Sequence, residues 1–208
     1  MSTAQQNLKE PDQIDWDKYE SGGKWAPPPP ALGPDGKAIV YYGTVPVLGA
    51  DAFAVTKDGY RQWILDPIKM VKSGPYDGYT IRFTRVSTKP FMGKDGKAKN
   101  ASSVGNLFRA VGLTAKPQKN SEYDAAVKLT AGKTAGFTID WEARNKDTDE
   151  QIRGYENFPD DPDRPGQKKA ILKAGDTYRD SETGETRTVQ ADVLFANARL
   201  RWFVDQKK

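Results

Sequence analysis

Short runs of β-branched and aromatic residues, separated by Gly, Asp and Pro, make up most of this chain from Ala38 onward. Val, Ile, Tyr, Phe, Trp and Thr suit a pleated, half-buried surface, whereas Gly, Asp and Pro mark the turns between strands. In residues 137–142 apolar and polar side chains alternate, with Phe137, Ile139 and Trp141 on one face. That period of two predicts a half-buried strand. The chain is therefore expected to be mainly β.

Residues 192–205 show the same alternation near the end of the chain. One face carries only apolar side chains, and we predict that it is buried: Leu194, Ala196, Ala198, Leu200, Trp202 and Val204. The opposite face mixes aromatic rings with cations: Val193, Phe195, Asn197, Arg199, Arg201 and Phe203. An ordinary solvated face is mostly polar. The second face is therefore a candidate binding surface.

Two helical patterns interrupt the strands. Apolar residues at i, i+3, i+4 and i+7 within residues 104–111 predict one helix, with Asn100 or Ser102 as its cap and Gly112 as its stop. A capping-box pattern at residues 121–124 predicts a second, shorter helix.

The predicted order is three strands, a helix, a short helix, a strand, a long loop and a final strand. A small antiparallel barrel with a helix between its third and fourth strands has this order, and the OB-fold is the commonest such barrel in binding proteins. A two-sheet sandwich would produce much the same order. We expect a mainly β fold, an OB-like antiparallel β-barrel with one or two short helices between strands.

Residues 1–36 differ from the rest of the chain, because they hold six of the 14 prolines and show no apolar periodicity. Proline runs favour extended polyproline II, and a Gly-Gly pair adds flexibility. We predict a disordered, proline-rich, acidic tail over residues 1–36 and one folded domain over residues 37–208. The tail has three lysines against six acids, so the remainder carries 29 cations against 22 acids.

The chain contains no Cys and no His. Their absence excludes a disulfide framework, a Cys/His zinc site, a Ser-His-Asp triad and a cysteine nucleophile. Catalysis would need carboxylates, lysines or a hard metal held by oxygen ligands. No segment has the pattern of an export signal or of a membrane span, so we expect a cytoplasmic protein, in a bacterial host if phage-encoded, without a membrane partner.

Positive charge is concentrated in residues 81–120, where nine cations stand against one acid, Asp95. Aromatic residues lie among these cations. Cations neutralise phosphates while exposed rings stack on unpaired bases, and proteins that bind single strands combine the two. The candidate binding residues come from this window and from the last predicted strand: Arg82, Arg85, Lys89, Phe91, Lys94, Lys97, Lys99, Phe195, Arg199 and Arg201.

Simpler interpretations stay open for the same region. The lysines of residues 89–99 could only solubilise an exposed turn, because many basic loops bind nothing. By periodicity, Phe83 and Phe108 are expected in the core. Arg199 and Arg201 could be partners of surface acids.

Two acidic groups raise the alternative of a metal site. The acids of residues 156–163 could hold Mg²⁺ or Ca²⁺ through oxygen ligands, but they lack the EF-hand spacing. Asp140, Glu142 and Lys146 resemble the carboxylate and lysine set of metal-dependent nucleases, although the spacing differs from the usual Glu-x-Lys arrangement. We therefore predict no metal ligand and no catalytic residue, and we keep a nuclease as an alternative.

Four segments resemble bacteriophage-type single-stranded DNA-binding proteins: residues 68–71 (Ile-Lys-Met-Val), 74–81 (Gly-Pro-Tyr-Asp-Gly-Tyr-Thr-Ile), 106–112 (Asn-Leu-Phe-Arg-Ala-Val-Gly) and 196–203 (Ala-Asn-Ala-Arg-Leu-Arg-Trp-Phe). The resemblance implies an OB barrel that binds single-stranded DNA with little sequence specificity, in phage or mobile-element DNA replication or recombination. It implies no enzymatic activity, no cofactor, and replication or recombination proteins as further partners. The acidic C-terminal tail of many bacterial relatives is missing here.

A virion or assembly protein, anchored to a neighbour by its proline-rich tail, is the alternative from a different class. The sequence also leaves a homo-oligomer open. If the chain binds DNA, the acidic tail is expected to compete for the basic region, so that deletion of residues 1–36 would tighten binding.

Overall fold

The structure, a computed structural model, describes residues 26–49, 52–145 and 147–205. The fold is mainly β, with 38% strand and 14% helix in several antiparallel sheets, which confirms the fold class at that level. The strands are β1 (Tyr41–Thr44), β2 (Phe53–Val55), β3 (Arg61–Leu65), β4 (Ile68–Met70), β5 (Thr80–Ile81), β6 (Thr84–Ser87), β7 (Pro90–Met92), β8 (Ala98–Ser102), β9 (Thr134–Arg144), β10 (Gln151–Arg153), β11 (Ile171–Lys173), β12 (Thr177–Arg179), β13 (Thr186–Thr188), β14 (Val193–Phe195) and β15 (Asn197–Val204). The helices are α1 (Ser103–Ala110) and α2 (Asn120–Lys128).

The largest sheet is built around the long strand β9. β15 runs antiparallel along one edge of β9. On the other edge, β1 pairs with the first residues of β9 and β10 pairs with the last. β4 then pairs with β1, and β5 with β4. β5 also contacts β15, so the two ends of the strand order β5, β4, β1, β9, β15 lie close together.

Smaller sheets and the helices complete the fold. β3 pairs with β2 and β6 in a three-stranded antiparallel sheet. β7 pairs with β8, β12 with β13, and β11 with β14. α1 packs against β15, β6, β8 and β9. Neither described helix has the length and apolar character needed to cross a membrane.

Local sequence signals determine both ends of α1. The Ser102 hydroxyl caps the helix by accepting a 3.3 Å hydrogen bond from the backbone N–H three residues further on. Gly112 has a φ of +69°, which favours glycine, and the N–H of Leu113 donates to the carbonyl of Phe108 at 2.8 Å. The apolar face of α1 is buried, as its spacing predicts.

The predicted apolar face of β9 is confirmed, because Phe137, Ile139 and Trp141 are buried, but Thr138 on the opposite face is buried as well. Close packing extends to the neighbouring strand β1. A Cβ on Gly43 would lie 2.8 Å from both the Ile68 side chain and the Phe137 ring. Glycine at this position therefore lets β1 approach its two neighbours.

A β-bulge in β15 reverses the predicted faces at the end of the strand. The residues on either side of Arg201 pair with consecutive residues of β9, so Arg201 is an extra residue in the ladder. Phe203 is buried, whereas Trp202 is 45% exposed. The prediction of Trp202 in the core and Phe203 outside is wrong, because one inserted residue shifts a period-two pattern by one position.

The proline run packs on the domain. Pro28 and Pro29 are buried. The carbonyl of Pro29 accepts a 2.7 Å hydrogen bond from the indole N–H of Trp141, and the carbonyl of Pro30 accepts a 2.8 Å bond from the hydroxyl of Tyr41. These carbonyls satisfy two aromatic donors of the domain.

The predicted tail over residues 1–36 therefore needs correction at its end, since residues 28–31 belong to the packed domain. The prediction for residues 1–25 lies outside the described residues. Any deletion that tests the acidic segment should stop at residue 25, because a longer one would remove part of the packed structure.

Asp124 in α2 ties that helix to β3. Its Oδ1 accepts hydrogen bonds from the Trp63 indole and from Arg61 Nε, both at 3.0 Å, and its Oδ2 accepts from Arg61 Nη2 at 2.8 Å. The Arg61 guanidinium also lies 5.2 Å from the centroid of the Phe53 ring. About three quarters of each charged side chain is buried. The carboxylate therefore joins α2 to β3 at the edge of the core.

We expect Asp124→Asn to lower the free energy of unfolding by about 2 kcal/mol, because hydrogen bonds to charged groups contribute roughly 1.5–3 kcal/mol and solvent partly screens this pair. Urea unfolding followed by tryptophan fluorescence measures the change. Asp149→Asn is the matched control, since Asp149 is 91% exposed and lies 3.8 Å from Arg144. The control should change stability by less than about 0.5 kcal/mol. Equal losses in both variants would contradict the role of Asp124.

Glu150 ties the turn after β9 to the segment before β14. Its carboxylate accepts hydrogen bonds from the N–H groups of Gln190 and Ala191 at 2.9 and 2.8 Å, and from the Thr148 hydroxyl at 2.8 Å. Burial raises the pKa of this carboxyl, but the hydrogen bonds together outweigh burial and hold the pKa below its ordinary value. The ionised form of Glu150 therefore stabilises the fold.

A lowered pKa in the folded state contributes stability that is present above the ordinary pKa and is lost as the pH falls through the folded-state value. We expect Glu150→Gln to lower the urea midpoint at about pH 7. The difference in urea midpoint between the variant and the parent protein should become smaller toward about pH 3. Glu185→Gln, at an exposed position in the β12–β13 hairpin, should leave the urea midpoint unchanged at both pH values. A gap of constant size at both pH values would show that the charge of Glu150 is not what stabilises this contact.

Candidate nucleic-acid interface

Arg85 and Arg201 line one small cavity between β6, α1 and β15. Arg85 is exposed because its neighbours in β6, Thr84 and Val86, take the buried positions. Arg201 is the inserted residue of the β15 bulge. The cavity has a volume of about 40 Å³, room for little more than water. The cavity is therefore a point where side chains converge. Arg85 comes from the positively charged residues 81–120, and Arg201 comes from the last strand.

The β7–β8 hairpin brings an aromatic pair to the same place. The ring centroids of Phe91 and Trp202 lie 5.0 Å apart with an interplanar angle of 71°, the edge-to-face arrangement that aromatic pairs prefer. Trp202 also lines the cavity of Arg85 and Arg201. We call these four residues, Arg85, Phe91, Arg201 and Trp202, the Arg–Trp face.

Arg82 and Phe83 form the link between β5 and β6, next to the Arg–Trp face in sequence. Phe83 has a φ of +54°, which is rare for a bulky side chain, and it is 58% exposed. Its N–H donates to Asp66 Oδ1 at 3.3 Å. The prediction of Phe83 in the core is wrong, because the left-handed backbone interrupts the alternation and leaves the ring in solvent.

Six of the eight cations predicted to bind have no acidic partner among the residues that the structure describes. The ion pairs in that part of the chain involve other cations, such as Arg61, Arg164 and Arg187. The predicted binding cations outside these pairs are Arg82, Arg85, Lys94, Lys97, Lys99 and Arg201. Uncompensated cations produce a positive potential that attracts polyanions.

Two predicted binding residues form ion pairs with acids of the domain, and a third lies in a different sheet. Lys89 forms an ion pair with Asp58, which raises the pKa of Lys89. Arg199 forms a 2.9 Å ion pair with Glu142, as the simpler interpretation predicted. Phe195 is half-buried in β14, which pairs with β11 and not with β9. Residues 192–205 therefore form two strands in different sheets.

The acids of the alternative metal sites make structural contacts. Asp140 Oδ1 accepts two backbone N–H groups at 2.9 and 2.7 Å. Glu142 accepts hydrogen bonds from Arg199 and from a glutamine of β10, and Lys146 lies outside the described residues. Asp161 Oδ2 pairs with Arg164 Nε at 2.9 Å. Across the described ranges, no three Asp or Glu residues are grouped so that they could hold a metal ion.

No protein-family model, curated protein or solved structure matches this chain. The resemblance to phage single-stranded DNA-binding proteins therefore stays an expectation from short motifs. The Arg–Trp face is the main physical ground for assigning a function.

Proposed function

We propose that this chain binds single-stranded DNA with little sequence specificity on the Arg–Trp face. The observation that carries the proposal is the convergence of Arg85 and Arg201, which have no acidic partner within the described ranges, on the exposed ring of Trp202. Guanidinium groups neutralise phosphates, and an exposed ring stacks on an unpaired base of any sequence. Because the bases of duplex DNA are already stacked, a duplex would keep only the electrostatic part of this contact.

Within the mainly β class, we propose that this domain is an OB-like β-barrel. The strand order β5, β4, β1, β9, β15, with β5 in contact with β15, supports a partly closed five-stranded Greek-key barrel. α1 then lies between the third and fourth barrel strands. Barrels of this kind bind oligonucleotides on strand faces and adjoining loops.

The biological setting follows from the sequence resemblance. We place the activity in phage or mobile-element DNA replication or recombination, with replication or recombination proteins as further partners. Coating a single strand breaks no bond and needs no cofactor. The proposed activity is therefore binding and not catalysis.

Fluorescence anisotropy tests the proposal with the full chain, a labelled mixed-sequence oligonucleotide of about 30 nucleotides and the matching duplex. We expect the affinity for the single strand to fall with salt, with a slope of about 0.7 in log K per log salt for each phosphate contacted. The duplex should bind at least about tenfold more weakly, because it offers no base for stacking. A single-strand affinity that does not change with salt concentration, or an equal affinity for the duplex, would overturn the proposal.

A further inference from the structure

A groove of about 550 Å³ lies between α1, residues 111–119 and α2. Its size is that of pockets that take small molecules or large side chains, roughly 300–1,000 Å³. The rings of Phe108 and Tyr123 are stacked there with centroids 6.4 Å apart and an interplanar angle of 21°. Leu113 and Pro117 complete the apolar walls. The groove shares no lining residue with the cavity of Arg85 and Arg201.

Two cations, Arg109 and Lys116, also line the groove, and Asp205 is the one acid among the described residues that line it. Within the part of the chain that the structure describes, neither cation belongs to an ion pair. An occupant that fits this groove needs aromatic side chains for its walls and carboxylates for its cations.

Residues 10–20 of the same chain have this chemistry. They contain five carboxylates against one lysine, together with Ile14, Trp16 and Tyr19. Trp16 precedes Ala26, the first described residue, by ten positions. Ten extended residues span about 33 Å, which is about twice the radius of gyration of roughly 16 Å for a domain of about 180 residues. The segment is therefore long enough to reach about half of the domain surface, measured from Ala26.

We propose that residues 10–20 dock in this groove of their own molecule. Trp16 and Tyr19 bind against the half-buried ring of Tyr123, which packs on the buried ring of Phe108, and the flanking carboxylates face Arg109 and Lys116. The contact holds the most acidic segment of the chain away from the Arg–Trp face. Docking in the groove is an alternative to the expected competition between this segment and DNA for the basic region. The docking proposal does not depend on the proposed function.

Disulfide trapping in the full chain tests the docking, because the parent sequence has no cysteine. Ser21→Cys, close to Tyr19, is combined with Thr114→Cys in the groove, with Thr80→Cys in β5, or with Ser181→Cys in the β12–β13 turn as the matched control. All three partner positions are exposed. Under mild oxidation, we expect the disulfide between positions 21 and 114 to form within one molecule and at least tenfold faster than the control disulfide.

Trp16→Ala and Lys116→Glu, each added to the groove pair, should slow the disulfide to the rate of the control. Equal rates at positions 114 and 181 would overturn the proposal. So would a preference for position 80, which would place the segment near the basic link between β5 and β6, or a disulfide that joins two molecules. No DNA is present in this experiment, so its failure would leave the proposed function untouched.

Discussion

Replacing Arg85 and Arg201 together with alanine is expected to weaken single-stranded DNA binding by roughly 100-fold at low salt. A hydrogen bond to a charged group contributes at least about 1.5 kcal/mol, so the pair contributes about 3 kcal/mol, which corresponds to roughly 100-fold in Kd. The salt slope should decrease by about 1.4, because each single-strand phosphate contact accounts for about 0.7. Anisotropy titrations across a salt series measure both quantities.

The matched control is Arg179→Ala combined with Arg187→Ala. These arginines lie at exposed positions in the β12–β13 hairpin, and their removal lowers the net charge by the same amount. The control should keep its affinity within about threefold, since only the long-range potential changes. A control that loses as much affinity as the Arg85 and Arg201 variant would show that net charge, and not the Arg–Trp face, governs binding.

Trp202→Ala is expected to weaken single-strand binding by about 5- to 150-fold, which corresponds to the roughly 1–3 kcal/mol that stacking on one base contributes. The salt slope should stay unchanged, because no cation is removed. Phe91→Ala should also weaken single-strand binding, since the Phe91 ring packs edge-on against Trp202. The same anisotropy titrations report these changes.

Trp202→Phe is the conservative counterpart, because it keeps an aromatic ring at the position. We expect this variant to retain most of the single-strand affinity, and we expect duplex binding to be unaffected by either substitution at Trp202. If Trp202→Phe were as weak as Trp202→Ala, or if the salt slope fell in both, stacking on this ring would not be the source of the affinity.

The strand framework could be predicted where it depends on neighbours in the chain. Phe137, Ile139 and Trp141 are buried in β9 because a regular strand places alternate residues on one face. α1 ends at Ala110 because the left-handed backbone of Gly112, two residues later, closes its last turn. These local signals need no knowledge of the distant contacts.

The aromatic part of the Arg–Trp face could not be predicted from periodicity. Trp202 is exposed because of the bulge at Arg201, and Phe83 is exposed because of its positive φ. Both residues are apolar, so a regular alternation assigns them to the core. Two local irregularities of the backbone therefore decide which rings face solvent.

The cationic part was predicted from clustering of charge, but its division into paired and unpaired residues was not. Lys89 meets Asp58 and Arg199 meets Glu142 through contacts that are distant in sequence. Arg85 and Arg201 meet no acid among the described residues, and they converge only because β6, α1 and β15 pack together. Tertiary packing thus separates the candidate phosphate contacts from structural ion pairs.

Photocross-linking of the full chain to a single-stranded oligonucleotide that contains 5-iodouracil tests the interface most directly. The reactive base cross-links to aromatic side chains that it touches, and mass spectrometry then identifies the modified peptides. We predict cross-links at Trp202 and Phe91, lost when unlabelled single strand is added in excess. Cross-links confined to the β12–β13 hairpin or to β14, or none at a saturating concentration of oligonucleotide, would contradict single-strand binding on the Arg–Trp face.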